Sequence, residues 1–236
     1  MMPIHIRAES GDIAPIVLLP GDPGRAKRVA ERLQDAHCYN EFRGLAGYTG
    51  VYKGHAISVQ TTGMGAPSAA IVVEELAMLG VKTVIRIGTC GGVGTDVRPG
   101  DLVIATASCP LDGTTRQYLG GDSYAPAASF RVVRALVDAA AGADVRHHAG
   151  LIATEDALYA VTPGWAETWS ARGVLAQEME ASAVFTVAAL RGLEAGCILT
   201  AANSAGQHER LPDDELLPAI DRMIDVALEA AVTLGA

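Results

Sequence analysis

Two arginines of this sequence occupy positions where a charged side chain needs an explanation. Arg86 interrupts the apolar run VIRIG at 84–88, which is typical of a buried strand, and arginine is almost never fully buried without a partner. Arg25 follows a turn with the sequence GDPG at 21–24, where a strand is expected to become a helix. Backbone N–H groups at such a junction and planar guanidinium groups both favour phosphate. The pattern therefore predicts an oxyanion site, with a structural salt bridge as the alternative for Arg86.

A second polar constellation, with the sequence QEMEA at 177–181, lies between a short predicted strand and a predicted helix. Carboxylates two residues apart do not share one face of a helix. At a strand-to-helix junction, however, both Glu178 and Glu180 can line the mouth of a pocket. Glu180 would be stabilised as an anion near the helix N-terminus, where it could accept hydrogen bonds from sugar hydroxyls. A carboxylate that only caps the helix is the alternative.

Other well-known chemistries lack their motifs. A Walker A loop needs Gly-Lys-Ser/Thr, and none of the lysines follows a glycine. The segments GMGAPS at 63–68 and GVGTDV at 92–97 lack the third glycine of a dinucleotide-binding fingerprint. His147 and His148 are adjacent rather than at metal-ligand spacing, and no serine-hydrolase elbow is present. We therefore expect neither a metal ion nor an organic cofactor.

Strands alternate with helices along most of the chain. Apolar runs predict strands at 16–19, 47–52, 55–61, 83–87, 102–105, 149–154, 174–176 and 195–201, and helical spacing predicts helices at 25–33, 66–79, 129–141, 163–172, 180–190 and 213–234. Lys53 and Gly54 form the turn of a hairpin. This alternation predicts an α/β fold, a single domain over residues 1–236 with a central mixed β-sheet flanked by helices.

Composition and charge narrow the function classes. Of the 236 residues, 50% are hydrophobic and only 19% charged, which excludes a disordered chain. The net charge of −9, without any run of Lys or Arg, argues against binding to nucleic acid or to a membrane surface. The four cysteines have no regular spacing, and the N-terminus has no signal-peptide pattern. These features predict a cytoplasmic protein with free thiols.

With these motifs assembled, the sequence resembles the hexameric bacterial purine nucleoside phosphorylases of the nucleoside phosphorylase I superfamily. The resemblance extends from residue 4 to the C-terminal helix. Its specific marks are LPGDPGR at 19–25, TGMG at 62–65, RIGTCG at 86–91 and EMEA at 178–181. It implies phosphate-dependent cleavage of a purine nucleoside to the free base and pentose 1-phosphate, with phosphate as co-substrate and no cofactor.

The same resemblance implies a role for individual residues. Phosphate would be bound by Gly21, Arg25, Arg43, Arg86 and Thr89, ribose by His5, Met179 and Glu180, and the base by Tyr159, Gln177, Glu178 and Asn203. Arg86, Glu180 and Asn203 would carry the catalysis. His5 and Arg43 would come from a neighbouring subunit, which implies a homohexamer, a trimer of dimers with shared active sites.

Asn203 marks a departure from that family. Its members usually carry a Ser-Asp pair after the last strand, and the aspartic acid protonates N7 of the purine. Here the segment reads TAANS at 200–204, and the arginine that usually assists is missing from DELL at 214–217. An amide donates hydrogen bonds but has no proton of useful acidity. Since adenine needs protonation more than hypoxanthine or guanine, we expect inosine and guanosine to be favoured.

Three alternatives remain open from the sequence. A uridine phosphorylase of the same superfamily should carry a Gln-x-Arg pair for uracil, and the segment AVTPG at 160–164 has none. A hydrolytic nucleosidase would lack the phosphate arginines. A non-catalytic nucleoside-binding protein would need the same pocket without turnover.

Overall fold

A computed structural model describes residues 2–9, 11–160, 162–205 and 209–235, and within them an α/β fold. The strands are β1 (Ile16–Pro20), β2 (Gln34–Asn40), β3 (Gly47–Tyr52), β4 (His55–Gln60), β5 (Thr83–Gly92), β6 (Leu102–Pro110), β7 (His147–Thr154), β8 (Val174–Glu178) and β9 (Glu194–Asn203). The helices are α1 (Pro23–Ala30), α2 (Ala66–Met78), α3 (Gly113–Tyr118), α4 (Phe130–Gly142), α5 (Trp165–Ser170), α6 (Ala181–Arg191) and α7 (Asp213–Gly235), with a 3₁₀ turn at Phe42–Gly44.

The strands form one mixed sheet, as the alternation of elements predicts. Its order is β2-β3-β4-β1-β5-β8-β7-β6-β9, and β5 also pairs with β9. The strands β5, β8, β7, β6 and β9 therefore close into a ring, while β1, β4, β3 and β2 extend from it as an open wing. Closure was not evident from the sequence. It brings the ends of β5, β8 and β9 to the same mouth of the ring.

Two apolar clusters cover the faces of this sheet. One is built around α2 and α6 with residues such as Val73 and Phe185, and the other around α1, α4 and α7 with residues such as Leu136 and Ile224. Small residues let these helices approach closely: a Cβ on Gly196 of β9 would lie 2.3 Å from Val132 of α4. The sheet and helices thus form a rigid frame that fixes the strand ends. No described helix is both long enough and apolar enough to cross a membrane.

The structure contains elements that were not predicted and lengthens two predicted strands. The edge strand β2 was missed, because its residues are polar and mostly exposed. The short helix α3 was missed as well. Strand β6 continues to Pro110, beyond the predicted end at 105, and β5 continues through the glycine-rich segment 88–92, beyond the predicted end at 87. Glycine is needed there for close backbone packing, since a Cβ on Gly92 would lie 2.7 Å from the carbonyl oxygen of Asn203.

Candidate active site

Arg25 lies at the start of α1, where the first predicted motif places it, but the helix terminus itself is already occupied. The carboxylate of Asp22 accepts hydrogen bonds from the backbone N–H groups of Gly24 at 2.9 Å and Arg25 at 3.1 Å. This is the usual N-cap arrangement. The expectation that these N–H groups face a bound anion is therefore wrong. The side chain of Arg25 is the group at this turn that can still bind an anion.

The guanidinium of Arg25 is buried without an ion pair among the described residues. Nη1 donates to the carbonyl oxygen of Ile87 at 3.2 Å, while Nε, fully buried, has no hydrogen-bond partner in the described part of the chain. Burial, together with the nearby charge of Arg86, lowers the pKa of Arg25 to about 10. Unpaired buried donors are costly, and two neighbouring cations repel each other. The arrangement is that of an oxyanion site.

Arg86 projects from β5 and is 5% exposed. Its Nε lies 2.7 Å from Oε2 of Glu178, and its Nη2 forms an ion pair with Glu180. Burial alone lowers the pKa of Arg86, but the charges of Glu180 and Glu178 raise it overall, so the side chain is a cation. The core salt bridge that the sequence left as an alternative is thus present, and it leaves the Nη1 end of the fork without a hydrogen bond to a described residue.

Glu178 has a different environment from the one expected. Its side chain is fully buried, and its two oxygens accept hydrogen bonds from Arg86, from Thr154 Oγ1 at 2.5 Å, and from the backbone N–H groups of Glu180 and Ala181. Such a saturated carboxylate has no acceptor left for a base. The expected contact of this side chain with the base is therefore contradicted, and Glu178 instead caps the N-terminus of α6.

Glu180 occupies the N-cap position of α6 but makes no capping bond of its own. Its Oε1 accepts the backbone N–H of Gly65 at 2.5 Å, and Oε2 faces Arg86. Burial raises the pKa of Glu180; Arg86 opposes this shift, and Glu178 adds to it. The anion is thus stabilised by an arginine and an amide from the TGMG motif at 62–65 rather than by its own helix. Gly65, which the sequence marked only as part of the TGMG motif and not as a site residue, is thus the second partner of Glu180.

Asn203 and Gln177 flank the end of β5 at the mouth of the ring. Gly91 pairs with Gln177 of β8 on one side and with Asn203 of β9 on the other. Oδ1 of Asn203 accepts the N–H of Gly92 at 3.1 Å, which fixes the orientation of its amide. A Cβ on Gly91 would lie 3.2 Å from Nε2 of Gln177 and 3.4 Å from Oδ1 of Asn203. The glycine thus lets two amides converge at this end.

Thr89 and Met179 complete the residues that the fold brings to this region. Thr89 is half-buried on β5 and pairs with Thr200 of β9, three residues beyond Arg86. Met179 is half-buried between the two glutamates. Gly21 follows β1, and a Cβ there would lie 3.0 Å from the carbonyl oxygen of Gly63, so the GDPG turn packs against the TGMG loop.

Three predicted residues have no hydrogen bond or ion pair to this cluster among the described residues. His5 Nδ1 lies 2.7 Å from Oε1 of Glu75, and Glu75 is ten residues beyond Gly65, roughly 15 Å along α2 at 1.5 Å per residue. Arg43 is exposed, with a left-handed φ of 57°. Tyr159 is 93% exposed. The roles expected for these three residues stay predictions.

Comparison with known proteins identifies the family. The model of the phosphorylase superfamily matches residues 15–233. A protein of Geobacillus kaustophilus strain HTA426, described as a DeoD-type purine nucleoside phosphorylase, is 44% identical to this chain over 100% of both chains. A protein of Clostridium perfringens strain SM101 with the same description is 43% identical over 99% of this chain and 100% of its own. A third, from Caldanaerobacter subterraneus subsp. tengcongensis, is 44% identical over 98% of this chain and 100% of its own. The chain belongs to the phosphorylase superfamily, and within it to the DeoD-type family.

Proposed function

We propose that this protein is a purine nucleoside phosphorylase, which cleaves purine ribonucleosides and deoxyribonucleosides with inorganic phosphate to give the free base and pentose 1-phosphate. The observation that carries the proposal is the buried pair of Arg25 and Arg86 beside Glu180, two cations and a carboxylate near the carboxyl end of β1. The names of the relatives support it. We infer a role in cytoplasmic purine salvage without any cofactor.

In the proposed reaction, phosphate lies against the guanidinium groups of Arg25 and Arg86, the hydroxyl of Thr89 and the turn at Gly21. Planar guanidinium forks match the oxygens of phosphate. One phosphate oxygen forms a bond to C1′ of the pentose while the bond from C1′ to the base breaks. The electron pair of that bond leaves with the base.

Glu180 would hold the pentose by accepting its 2′- and 3′-hydroxyls, with Met179 against the sugar. As the glycosidic bond breaks, positive charge develops on the pentose ring, and the fixed carboxylate stabilises it. Because Arg86 and Gly65 hold Glu180 in place, little reorganisation is needed when this charge appears. The same carboxylate thus serves binding and catalysis.

The base would lie at the mouth beside Gln177 and Asn203, covered by Tyr159. We propose that 6-oxopurine nucleosides, inosine and guanosine, are preferred, because Asn203 can donate a hydrogen bond to the departing base but cannot protonate it. General acid catalysis is worth about 10²–10⁴-fold, and adenine depends on it most.

Asn203→Asp tests this base preference. It should raise the ratio of kcat/KM for adenosine over inosine by roughly tenfold or less, a small part of the range of general acid catalysis. The gain is limited because the N–H of Gly92, which donates to Oδ1 in the native protein, stabilises the ionised rather than the protonated aspartate. A wild type that already favours adenosine would contradict the argument.

We also propose that the active sites are shared in a homohexamer, a trimer of dimers. This proposal is supported by His5, which Glu75 holds away from the cluster of its own chain, and by the exposure of Arg43.

Mixing subunits tests the sharing. Arg43→Ala and Glu180→Gln chains, each nearly inactive alone, should regain activity when reassembled together, because some sites then combine an intact Arg43 with an intact Glu180. Absence of recovery, despite subunit exchange demonstrated with tagged chains, would mean that each chain builds its own site.

The function itself is tested by incubating the protein with inosine, guanosine, adenosine and uridine, each with and without phosphate. We expect the purine bases to be released only with phosphate, and pentose 1-phosphate to appear in equal amount. Equal rates without phosphate would indicate a hydrolase, preferential cleavage of uridine a uridine phosphorylase, and binding without turnover a nucleoside-binding protein.

A further inference from the structure

We propose that Glu178 is a positioning residue that sets the relative placement of the two charged groups of the site, the guanidinium of Arg86 and the carboxylate of Glu180. The inference rests on the proposed function, because it concerns the phosphate and pentose contacts of that same site. Glu178 itself touches neither substrate, since both of its side-chain oxygens are occupied by hydrogen bonds within the protein.

Glu178 makes hydrogen bonds both to Arg86 and to the backbone that carries Glu180, the two residues it is proposed to position. Oε2 lies 2.7 Å from Nε of Arg86 and accepts the backbone N–H of Glu180 at 2.8 Å, so one oxygen joins both. Oε1 accepts the hydroxyl of Thr154 at 2.5 Å. The N–H of Ala181 lies 2.9 Å from Oε1 and 3.0 Å from Oε2. Three elements, β5, β7 and α6, are therefore fixed to one carboxylate.

This anchoring determines how the fork of Arg86 is presented. An arginine side chain has many rotamers, and its Nε–H is the donor closest to the backbone. With Nε on Glu178 and Nη2 on Glu180, the guanidinium plane is fixed at two points, and Nη1 is the nitrogen left without a hydrogen bond to a described residue. A guanidinium held at only one point could rotate, and its N–H groups would then no longer be aligned with the oxygens of phosphate.

The same carboxylate determines where α6 begins. Because Glu178 accepts the N–H groups of Glu180 and Ala181, the turn that carries Glu180 is tied to the strand that precedes it. Misplacement of about 1 Å at a reacting centre can cost on the order of 100-fold in rate. Glu178 thus couples the phosphate contact of Arg86 to the pentose contact of Glu180. Thr154, which is buried and hydrogen-bonded to Ser108, in turn fixes the position of Glu178.

The test is Glu178→Gln with Asp101→Asn as the matched control. Asp101 is also a buried carboxylate that accepts an arginine Nε, Arg146 at 2.9 Å, and a backbone N–H, that of Arg98, but it contacts none of the site residues. We expect both variants to lower the temperature of unfolding. Only Glu178→Gln should raise the KM for phosphate at least tenfold and lower kcat, measured well below both melting temperatures.

Glu178→Asp provides a second variant if the glutamine protein does not fold. It keeps the charge but shortens the side chain by one methylene, so it should also raise the KM for phosphate. A wild-type KM for phosphate in a folded variant, or failure of both variants to fold, would overturn the proposal. If the wild type cleaved no nucleoside, the proposed function would fail instead, and calorimetric titration with inorganic phosphate would still compare Glu178→Gln with Asp101→Asn.

Discussion

Helix α1 and the turn that follows it carry arginines in two contrasting environments. Arg28 of α1 and Arg32 just beyond it lie against α7, where each forms an ion pair with Asp221, and Arg32 also pairs with Asp225 at 2.7 Å. Arg25, one turn before Arg28, donates from Nη1 to the carbonyl oxygen of Ile87 in the middle of β5, and its Nε has no partner among the described residues. One short segment thus contributes ion pairs to the fold and also carries an arginine without an ion pair among the described residues.

The pKa values show the same contrast. The partners of Arg32 outweigh its burial and raise its pKa, whereas burial and the charge of Arg86 lower the pKa of Arg25 to about 10. Folding therefore places Arg25 where its charge costs free energy. An arginine with two carboxylate partners needs no further explanation, but a buried arginine with an unsatisfied donor indicates that a bound anion supplies the missing interaction.

Arg86→Ala should have the largest effect. It removes a proposed phosphate contact and also leaves Glu178 and Glu180 buried without their counter-ion, which typically costs about 3–5 kcal/mol of stability. We expect kcat/KM to fall by orders of magnitude and the free energy of unfolding in urea to fall as well. Arg32→Ala, which removes the ion pairs with Asp221 and Asp225, should lose about 1 kcal/mol or less of stability with unchanged activity. Full stability of Arg86→Ala would contradict the described ion pairs.

Glu180→Gln comes next. Loss of one preorganised electrostatic contact typically raises the barrier by roughly 2.7–4 kcal/mol, and we expect kcat to fall accordingly while the protein stays folded. Asp225→Asn makes the same chemical change in the exposed network and should leave kcat unaltered. Steady-state kinetics with inosine measure both. If Glu180→Gln kept the activity of the wild type, Glu180 would be only part of the salt bridge.

Arg25→Ala should have the smallest effect on stability. Because its charge is unfavourable in the folded protein, its removal should lower the free energy of unfolding by no more than about 1 kcal/mol, the range of an exposed ion pair such as that of Arg28. The folded pKa of Arg25 is below its unfolded value, so the penalty is present below pH about 10 and is relieved as the pH rises further. Wild-type stability relative to Arg25→Ala should therefore rise through that range. A relative stability that falls there would contradict the lowered pKa.

Much of the fold could be predicted from the sequence because its signals are local. Alternation of apolar runs with helical spacing predicted the α/β class, and Lys53-Gly54 marked the hairpin turn that the structure contains, with positive φ at both residues. Strand β2 gave no such signal, since an exposed edge strand needs no apolar pattern. Closure of the ring depends on pairing between β5 and β9, which lie more than 100 residues apart, and no local pattern encodes it.

The candidate site was predictable in its members but not in their arrangement. Arg86, Glu178 and Glu180 could be selected because their charges interrupt apolar or helical contexts. Which glutamate caps α6 and which one accepts the N–H of Gly65 depends on the turn geometry, and two identical residues two positions apart carry no signal for it. Thr154 was missed because a threonine at a strand end is unremarkable until the strand beside it places Glu178 against it.

Direct binding of inorganic phosphate tests the central claim, that Arg25, the arginine of α1 without an ion pair among the described residues, belongs to an oxyanion site. Calorimetric titration should detect one phosphate per chain in the wild type and in Arg28→Ala. Charge-assisted hydrogen bonds contribute about 1.5–3 kcal/mol, so Arg25→Ala should bind phosphate at least tenfold more weakly. Equal affinity in Arg25→Ala and Arg28→Ala would contradict the account, because the unpaired arginine would then have no anion to bind.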